Sequence, residues 1–206
     1  QNLLRRLEAA GNPGGRGAPL VILDAGYSAA ALTAALAGQP VHLLIRLPSG
    51  SVFYADPATW PGKKGRPGKH GMAVTCAAGP GQANPEPDES LTLPDTPLYG
   101  TVRVDAWHQV HPLIHGDRGW FADWDGDLPV LRGTVLRVKA ERLPDGRTPH
   151  KTMWLWHAGP APLSCDELWR AYLARFDEEH AFKFAKGTLG LTAAKVDEVV
   201  LVGGST

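Results

Sequence analysis

The chain has 206 residues, of which 43% are hydrophobic and 20% are charged. These values predict a globular protein with a sizeable core and exclude a disordered chain. Lys plus Arg and Asp plus Glu each number 21, so the formal net charge is zero. A protein that is basic overall is therefore excluded, and any contact with nucleic acid must come from a local cluster of cations.

Cysteine usage and hydropathy bear on the compartment. Cys76 and Cys165 lie far apart without a CxxC pair, which fits a reducing cytoplasm and gives no support to a disulfide framework or a zinc site. No run of about 18 apolar residues or signal peptide is present, so we expect a cytoplasmic protein that does not enter a membrane. The chain begins with Gln1 and not with Met, and we expect it to be a fragment.

The first 58 residues predict an α/β layer. The predicted elements are a helix over 2–10, a buried strand over 19–23, a helix reaching about 37, and strands over 41–47 and 51–55. The first strand ends at Asp24, and Ser28 is a candidate N-cap for the following helix. The last two strands flank Pro48-Ser49-Gly50, a pattern typical of a hairpin. This β–α–β–β order favours an α/β fold over an all-β sandwich.

Residues 59–100 are rich in Gly and Pro and predict a long connection that is functional or disordered. The N-terminal part of this connection carries basic side chains and no acidic residue: Lys63, Lys64, Arg66, Lys69 and His70. This cluster suits a flexible arm on DNA phosphates, and it equally suits a solvated basic loop.

A β-rich stretch precedes the final helix. Strands are expected over 101–111, 130–143 and 152–156, with a hairpin turn at Asp145-Gly146 between the last two. The tryptophans of this stretch are expected in its core more than as platforms for stacking bases: Trp107, Trp120, Trp124, Trp154 and Trp156.

The final helix is the best-defined element of the sequence. Ser164 and Glu167 form a capping box at its start, and Gly187 or Gly190 can end it. Its predicted apolar stripe consists of Trp169, Leu173, Phe176 and Phe184, with Ala181 beside it.

A polar line lies beside that stripe. Tyr172, Glu179 and Lys186 are spaced by seven residues, and Arg175 falls on the same face. This set of a phenol, a guanidinium, a carboxylate and an ammonium suits metal-dependent phosphoryl transfer. A solvated face with pairs such as Arg175–Glu179 is the alternative, and the chemistry alone does not decide between them.

Asp24 is the second candidate acid. The carboxyl end of a buried strand is where open α/β sheets place reactive groups, although an N-cap or Asx-turn aspartate explains the same position. Together, Asp24 and Glu179 can share two divalent cations about 3.5–4 Å apart. Hard oxygen ligands favour Mg²⁺ or Mn²⁺.

The spacing Tyr172-(2)-Arg175-(3)-Glu179-(6)-Lys186 resembles the signature of the DDE transposases of the insertion-sequence 4 group. The surrounding segments resemble the related insertion-sequence 701 type over roughly residues 1–194. Besides the helix from 168 to 190, these segments are Asp24-Ala25-Gly26-Tyr27, Phe53-Tyr54-Ala55-Asp56, residues 128–135 (LPVLRGTV) and Trp154-Leu155-Trp156.

The resemblance implies an RNase H-like fold in which three acids bind two Mg²⁺. Asp24 would be the second acid and Glu179 the third, while Tyr172, Arg175 and Lys186 would contact DNA. The first acid is missing, because none of the 23 residues before Asp24 is an Asp. The resemblance also implies a bacterial, nucleoid-associated enzyme that acts on terminal inverted repeats and target DNA as a homodimer in a synaptic complex.

The resemblance divides the chain into four parts. These are an RNase H-like part over 1–58, a linker and β-rich insertion over 59–157, the catalytic helix region over 158–194, and a tail over 195–206. The tail resembles a segment of the Hsp70 ATPase and is expected to be foreign, because it is too short to form that nucleotide site. We therefore expect a transposase that cleaves DNA and transfers strands, although this fragment alone would be a poor catalyst. The alternative is an inactive DNA-binding remnant.

Overall fold

A computed structural model describes residues 18–57, 70–77, 83–117, 119–143, 146–149 and 152–175. Within these residues eight strands form a mixed sheet, and the helices are few. The strands are β1 (Leu20–Leu23), β2 (His42–Arg46), β3 (Val52–Tyr54), β4 (Ala73–Thr75), β5 (Glu89–Thr96), β6 (Gly100–Pro112), β7 (Gly133–Ala140) and β8 (Met153–Ala158). Their order is β1-β2-β8-β7-β6-β3-β4, with β5 also paired to β6. The expected α/β class is confirmed, and the sheet is compatible with an RNase H-like fold.

The first two strands pair in parallel and are joined by helix α1 (Ala29–Ala35). Ser28 caps this helix as predicted, because its side chain accepts a hydrogen bond from the Ala31 N–H. The parallel register pairs Leu23 with Ile45, so β1 and β2 end side by side. Asp24 and Arg46 therefore lie next to each other at the carboxyl ends of these two strands.

The predicted hairpin between the second and third strands is wrong. β2 pairs with β1 on one side and with β8 on the other, so neither edge of β2 is available to β3. β3 instead pairs with β4 and β6. Both faces of β2 are buried over most of its length, as expected for a central strand that needs partners on both sides.

The connection predicted over residues 59–100 is interrupted by strands. β4 and β5 lie within it, and β5 pairs antiparallel with β6 from Glu89 to Thr96. Alternation of Leu91 and Leu93 with polar residues makes β5 half-buried, and Pro94 is tolerated because the strand lies at an edge. The basic segment with Lys63, Lys64, Arg66 and Lys69 lies outside the described residues.

The later strands continue the same sheet. β6, β7 and β8 pair antiparallel in succession, and β8 joins them to β2. Gly146, at φ +80°, makes the predicted turn between β7 and β8, where its N–H donates to the Leu143 carbonyl. The β-rich stretch is thus continuous with β1 and β2 in one sheet.

Two apolar clusters cover the faces of the sheet. α1 packs on the first, which includes Val21, Ile45 and Trp156. The final helix, α2, is described over residues 165–175 and packs on the second cluster, beside Ile22 and Leu44. In the part of the chain that the structure describes, no helix is both long enough and apolar enough to cross a bilayer.

Candidate functional site

Asp24 stands at the first residue after β1, with its side chain about half exposed. Its Oδ1 accepts a hydrogen bond of 2.8 Å from the Ala25 N–H, and its carbonyl accepts one from Tyr27. The N-cap explanation for Asp24 does not hold, because Ser28 caps α1. The bond from the adjacent Ala25 N–H is a local contact that orients the carboxylate at the end of the strand.

Arg46 is the neighbour that sequence reasoning did not single out. It is the last residue of β2, and its Nη1 lies 3.7 Å from the Asp24 Oδ1. The parallel register produces this pairing, because Arg46 follows Ile45 as Asp24 follows Leu23. The sequence signal was weak, because Arg46 lies inside the predicted strand over 41–47 and the pairing of that strand with the strand before Asp24 was not predicted.

Helix α2 begins with the predicted capping box. The Ser164 N–H and Oγ both donate to the Glu167 carboxylate, at 2.8 and 2.7 Å, and the Glu167 N–H donates back to Ser164 Oγ. These bonds lower the pKa of Glu167. The helix start is therefore fixed, which sets the rotation of every side chain that follows.

The buried stripe of α2 differs from the predicted one. Its buried members are Cys165, Leu168, Trp169 and Tyr172, while Leu173 is only half-buried. Tyr172 was expected on a polar line beside the stripe, yet it belongs to the stripe and has no exposed surface. A role in stacking on a base needs an accessible ring face, which the buried ring does not offer. Phe176, Ala181 and Phe184 lie outside the described residues.

Arg175 covers the ring of Tyr172. Its guanidinium carbon lies 5.4 Å from the ring centre, within cation–π range. Burial raises the pKa of Tyr172, the charges of Arg175 and Arg46 oppose this rise, and the charge of Asp24 adds to it. All three charges therefore act on one hydroxyl, which places α2 beside the ends of β1 and β2. The structure thus brings Tyr172 and Arg175 into contact, and the charge of Asp24 acts on the Tyr172 hydroxyl.

Two predicted members of the same helix face cannot be placed. Glu179 and Lys186 lie outside the described residues, so their contacts with Asp24 are untested. Among the described residues, no group of three or more His, Cys, Asp and Glu side chains is arranged to hold a metal ion. Asp24 fits one position around a hard cation, since it is an accessible carboxylate. A complete set of ligands needs Glu179 or another acid as well.

The cysteines are poor ligand candidates. Cys76 and Cys165 are both buried, and burial raises the pKa of each thiol to about 12. Both therefore stay protonated at neutral pH, whereas metal binding requires the thiolate.

A second polar cluster lies at the opposite end of β2. His42 Nδ1 is 3.1 Å from His157 Nε2, and the two rings stack with centres 5.3 Å apart. Both rings are buried, and burial lowers both pKa values, that of His157 to about 4. Four residues along β2 separate this pair from Arg46, about 13 Å at 3.3 Å per residue. The histidine pair is therefore separate from the group around Asp24.

Two further segments of the resemblance meet at that end of the sheet. Arg132 donates to both carboxylate oxygens of Asp56, at 3.0–3.2 Å, and His111 Nε2 lies 3.9 Å from the same carboxylate. Asp56 follows β3 and Arg132 precedes β7. The ion pair therefore ties two distant parts of the chain together and is accounted for as a structural contact.

The tryptophans divide into two groups. Trp107, Trp154 and Trp156 are buried as predicted, while Trp120 is half exposed and contacts Phe121 and Trp124. The expectation of a core position is thus wrong for Trp120. It lies in a short 3₁₀ turn (Gly119–Phe121) next to a run of aspartates that gives no net positive charge. These surroundings do not favour contact with the phosphate backbone of DNA.

Comparison with known proteins gives one match. The sequence model of a family described as "DDE superfamily endonuclease" matches residues 1–112, which is more than half of the chain. The matched range includes Asp24 and Arg46 and ends with β6. No curated protein and no solved structure matches the chain.

Proposed function

This chain belongs to the DDE superfamily endonucleases, and from that membership we propose that it is the catalytic part of an insertion-sequence transposase. The family implies DNA as the substrate, and its nucleases generally use divalent metal ions. The assignment to the insertion-sequence 4 or 701 type rests on the spacing of Tyr172, Arg175, Glu179 and Lys186. A homodimer in a synaptic complex and the terminal repeats as partners follow from the same assignment.

The observation that carries the proposal is the packing of α2 on β1 and β2, where the charge of Asp24 acts on the Tyr172 hydroxyl beside Arg175. The spacing on α2 and the acid at the end of β1 were separate features of the sequence. In the folded chain the charges of Asp24 and Arg175 both act on the Tyr172 hydroxyl. The carboxyl end of β1 is also where α/β sheets place reactive groups, which supports a site at this position.

Asp24 and Glu179 would hold two Mg²⁺ or Mn²⁺ ions. When bound, such ions activate the attacking oxygen and stabilise the leaving oxygen of a phosphodiester. In the first step a water oxygen bonds to phosphorus while the bond to the 3′ oxygen breaks. In the second, the oxygen of the freed 3′-hydroxyl bonds to a phosphorus of the target while the bond from that phosphorus to the target's own 3′ oxygen breaks. Neither step needs a covalent protein intermediate.

The cations of the helix would hold the DNA. Arg175 offers a planar fork of donors that matches a phosphate, and Lys186 offers a point charge. Tyr172 supports Arg175 from beneath, since its ring is buried under the guanidinium. Lys63, Lys64, Arg66 and Lys69 would add affinity that does not depend on DNA sequence.

The alternative function is an inactive DNA-binding remnant. It shares every DNA contact with the first proposal but lacks the first catalytic Asp, and none of residues 1–23 is an Asp. The two functions differ in one property only, namely cleavage.

The test measures binding and cleavage side by side. The chain, and a longer natural form if one exists, is incubated with supercoiled plasmid and Mg²⁺ or Mn²⁺, and nicking is followed on a gel. We expect Glu179→Gln and Asp24→Asn to abolish nicking while DNA binding persists. Asp56→Asn is the matched control, because Asp56 is also a half-exposed aspartate paired with an arginine.

Each outcome decides between the proposals. Metal-dependent nicking that is lost in Asp24→Asn and Glu179→Gln, but kept in Asp56→Asn, supports a transposase. DNA binding without nicking in every form supports the remnant. Nicking that survives in Glu179→Gln overturns the assigned site, and the absence of any DNA binding overturns both functions.

A further inference from the structure

Arg46 differs from the other ion-paired arginines of the described chain in how loosely it is held. It reaches the Asp24 carboxylate with one nitrogen at 3.7 Å, beyond hydrogen-bond range, and 45% of its side chain is exposed. Arg132, which is equally exposed, makes three hydrogen bonds of 3.0–3.2 Å to Asp56. An exposed and long ion pair such as Arg46–Asp24 contributes little to stability. The fold therefore does not explain why an arginine stands at this position.

The donors of Arg46 remain usable by a ligand. A guanidinium carries five N–H donors in a plane, and the contact with Asp24 uses one nitrogen. Arg46 ends β2 and Asp24 follows β1, so both side chains project from the carboxyl edge of neighbouring strands. A ligand bound at Asp24 therefore lies close to Arg46.

The charges at this edge favour an anion. Arg46 and Arg175 both act on the Tyr172 hydroxyl, and Asp24 is the acid that acts on it with them. Among the described residues, two guanidinium groups and one carboxylate thus act on this hydroxyl, and Arg46 lies 3.7 Å from that carboxylate. Cations bound by Asp24 would increase the positive excess further. A phosphodiester is the anion that the proposed reaction brings to this place.

We propose that Arg46 is a phosphate-binding residue of the site, one that holds the DNA backbone beside Asp24. This inference rests on the proposed function, because it takes DNA as the ligand. In the absence of DNA the guanidinium lies against Asp24, and on binding it turns its fork to a phosphate oxygen pair. Bidentate phosphate contact is the geometry for which arginine is better suited than lysine.

The experiment measures the salt dependence of DNA binding without metal. Binding of a short fluorescein-labelled duplex to the full chain is followed by anisotropy over a range of salt concentrations. Arg46→Gln should lower the slope of log affinity against log salt by about 0.9, the value for one phosphate contact. Between about 50 and 200 mM salt, the fall in affinity should then be about three- to fourfold smaller than for the wild type.

Arg132→Gln is the matched control, because Arg132 has the same exposure and a paired aspartate but lies at the other end of the sheet. Its slope should equal that of the wild type. Arg46→Lys should keep the slope and lose affinity, since the charge stays while the fork is lost. If Arg46→Gln does not fold, Arg46→Lys still tests the phosphate contact through its loss of affinity.

The outcomes separate this inference from the proposed function. If the wild type does not bind DNA, or if Arg175→Gln has no effect, the proposed function fails. If the wild type binds, Arg175→Gln weakens binding and Arg46→Gln behaves as Arg132→Gln does, only the role of Arg46 is overturned. An Arg46→Lys variant whose DNA affinity equals that of the wild type at every salt concentration overturns the bidentate contact.

Discussion

The buried pair of His42 and His157 makes the stability of the fold depend on pH. Burial lowers the pKa of His157 to about 4, and the charges of His42 and His108 act in the same direction. The folded-state pKa therefore lies below the ordinary value of about 6.5, so the fold binds the proton more weakly than the unfolded chain. Stability from this group is present above about pH 6.5 and is lost as the pH falls towards 4.

The magnitude follows from the difference between the two pKa values. A depression from 6.5 to about 4 corresponds to about 3 kcal/mol when fully expressed. About 2 kcal/mol of this is lost between about pH 7.5 and about pH 5, above the range in which most carboxylates titrate. The burial of His42 adds a loss of the same sign.

The assay is urea unfolding followed by tryptophan fluorescence at several pH values. His157→Gln removes the titrating group, and its free energy of unfolding should vary less between about pH 7.5 and about pH 5 than that of the wild type. His115→Gln is the control, because His115 is exposed, and it should retain the full dependence. A free energy of unfolding that does not change over this range, or an unaltered dependence in His157→Gln, would refute the reasoning.

Three further substitutions test the packing around the site. Tyr172→Ala should lower the free energy of unfolding by about 3–5 kcal/mol, because it empties a fully buried ring site, and thermal unfolding measures this loss. Asp105→Asn should cost about 3–5 kcal/mol by urea unfolding, because it leaves Arg137 without the buried carboxylate that it contacts at 2.8 Å. Ser164→Ala should cost about 1 kcal/mol by the same measurement, because Glu167 loses its capping partner; an unchanged midpoint would show that α2 is held by packing alone.

Local signals predicted much of this fold. The strand before Asp24, the Ser28 cap and the capping box of α2 depend on residues within a few positions of one another. The turn at Gly146 was found for the same reason, since positive φ selects glycine. Asp24 could be singled out because a strand end followed by a polar residue is visible in the sequence.

Long-range pairing could not be predicted in the same way. The hairpin after β2 failed because β8, more than 100 residues later, occupies the edge that β3 was expected to take. β5 was hidden within a stretch rich in Gly and Pro, where its alternation is short. The rotation of α2 places Tyr172 in the core, whereas the spacing of residues does not determine which side of the helix is buried. Arg46 could be paired with Asp24 only from the register of β2 with β1.

The central claim is that Asp24 and Glu179 share one metal site. Fe²⁺ in place of Mg²⁺, with ascorbate and peroxide, releases hydroxyl radicals that cut the backbone next to the ion, and the cut positions are read by mass spectrometry. The account predicts cuts near both Asp24 and Glu179, with both sets lost in Asp24→Asn. Cuts near only one of the two residues, or cuts near Glu179 that persist in Asp24→Asn, would contradict it.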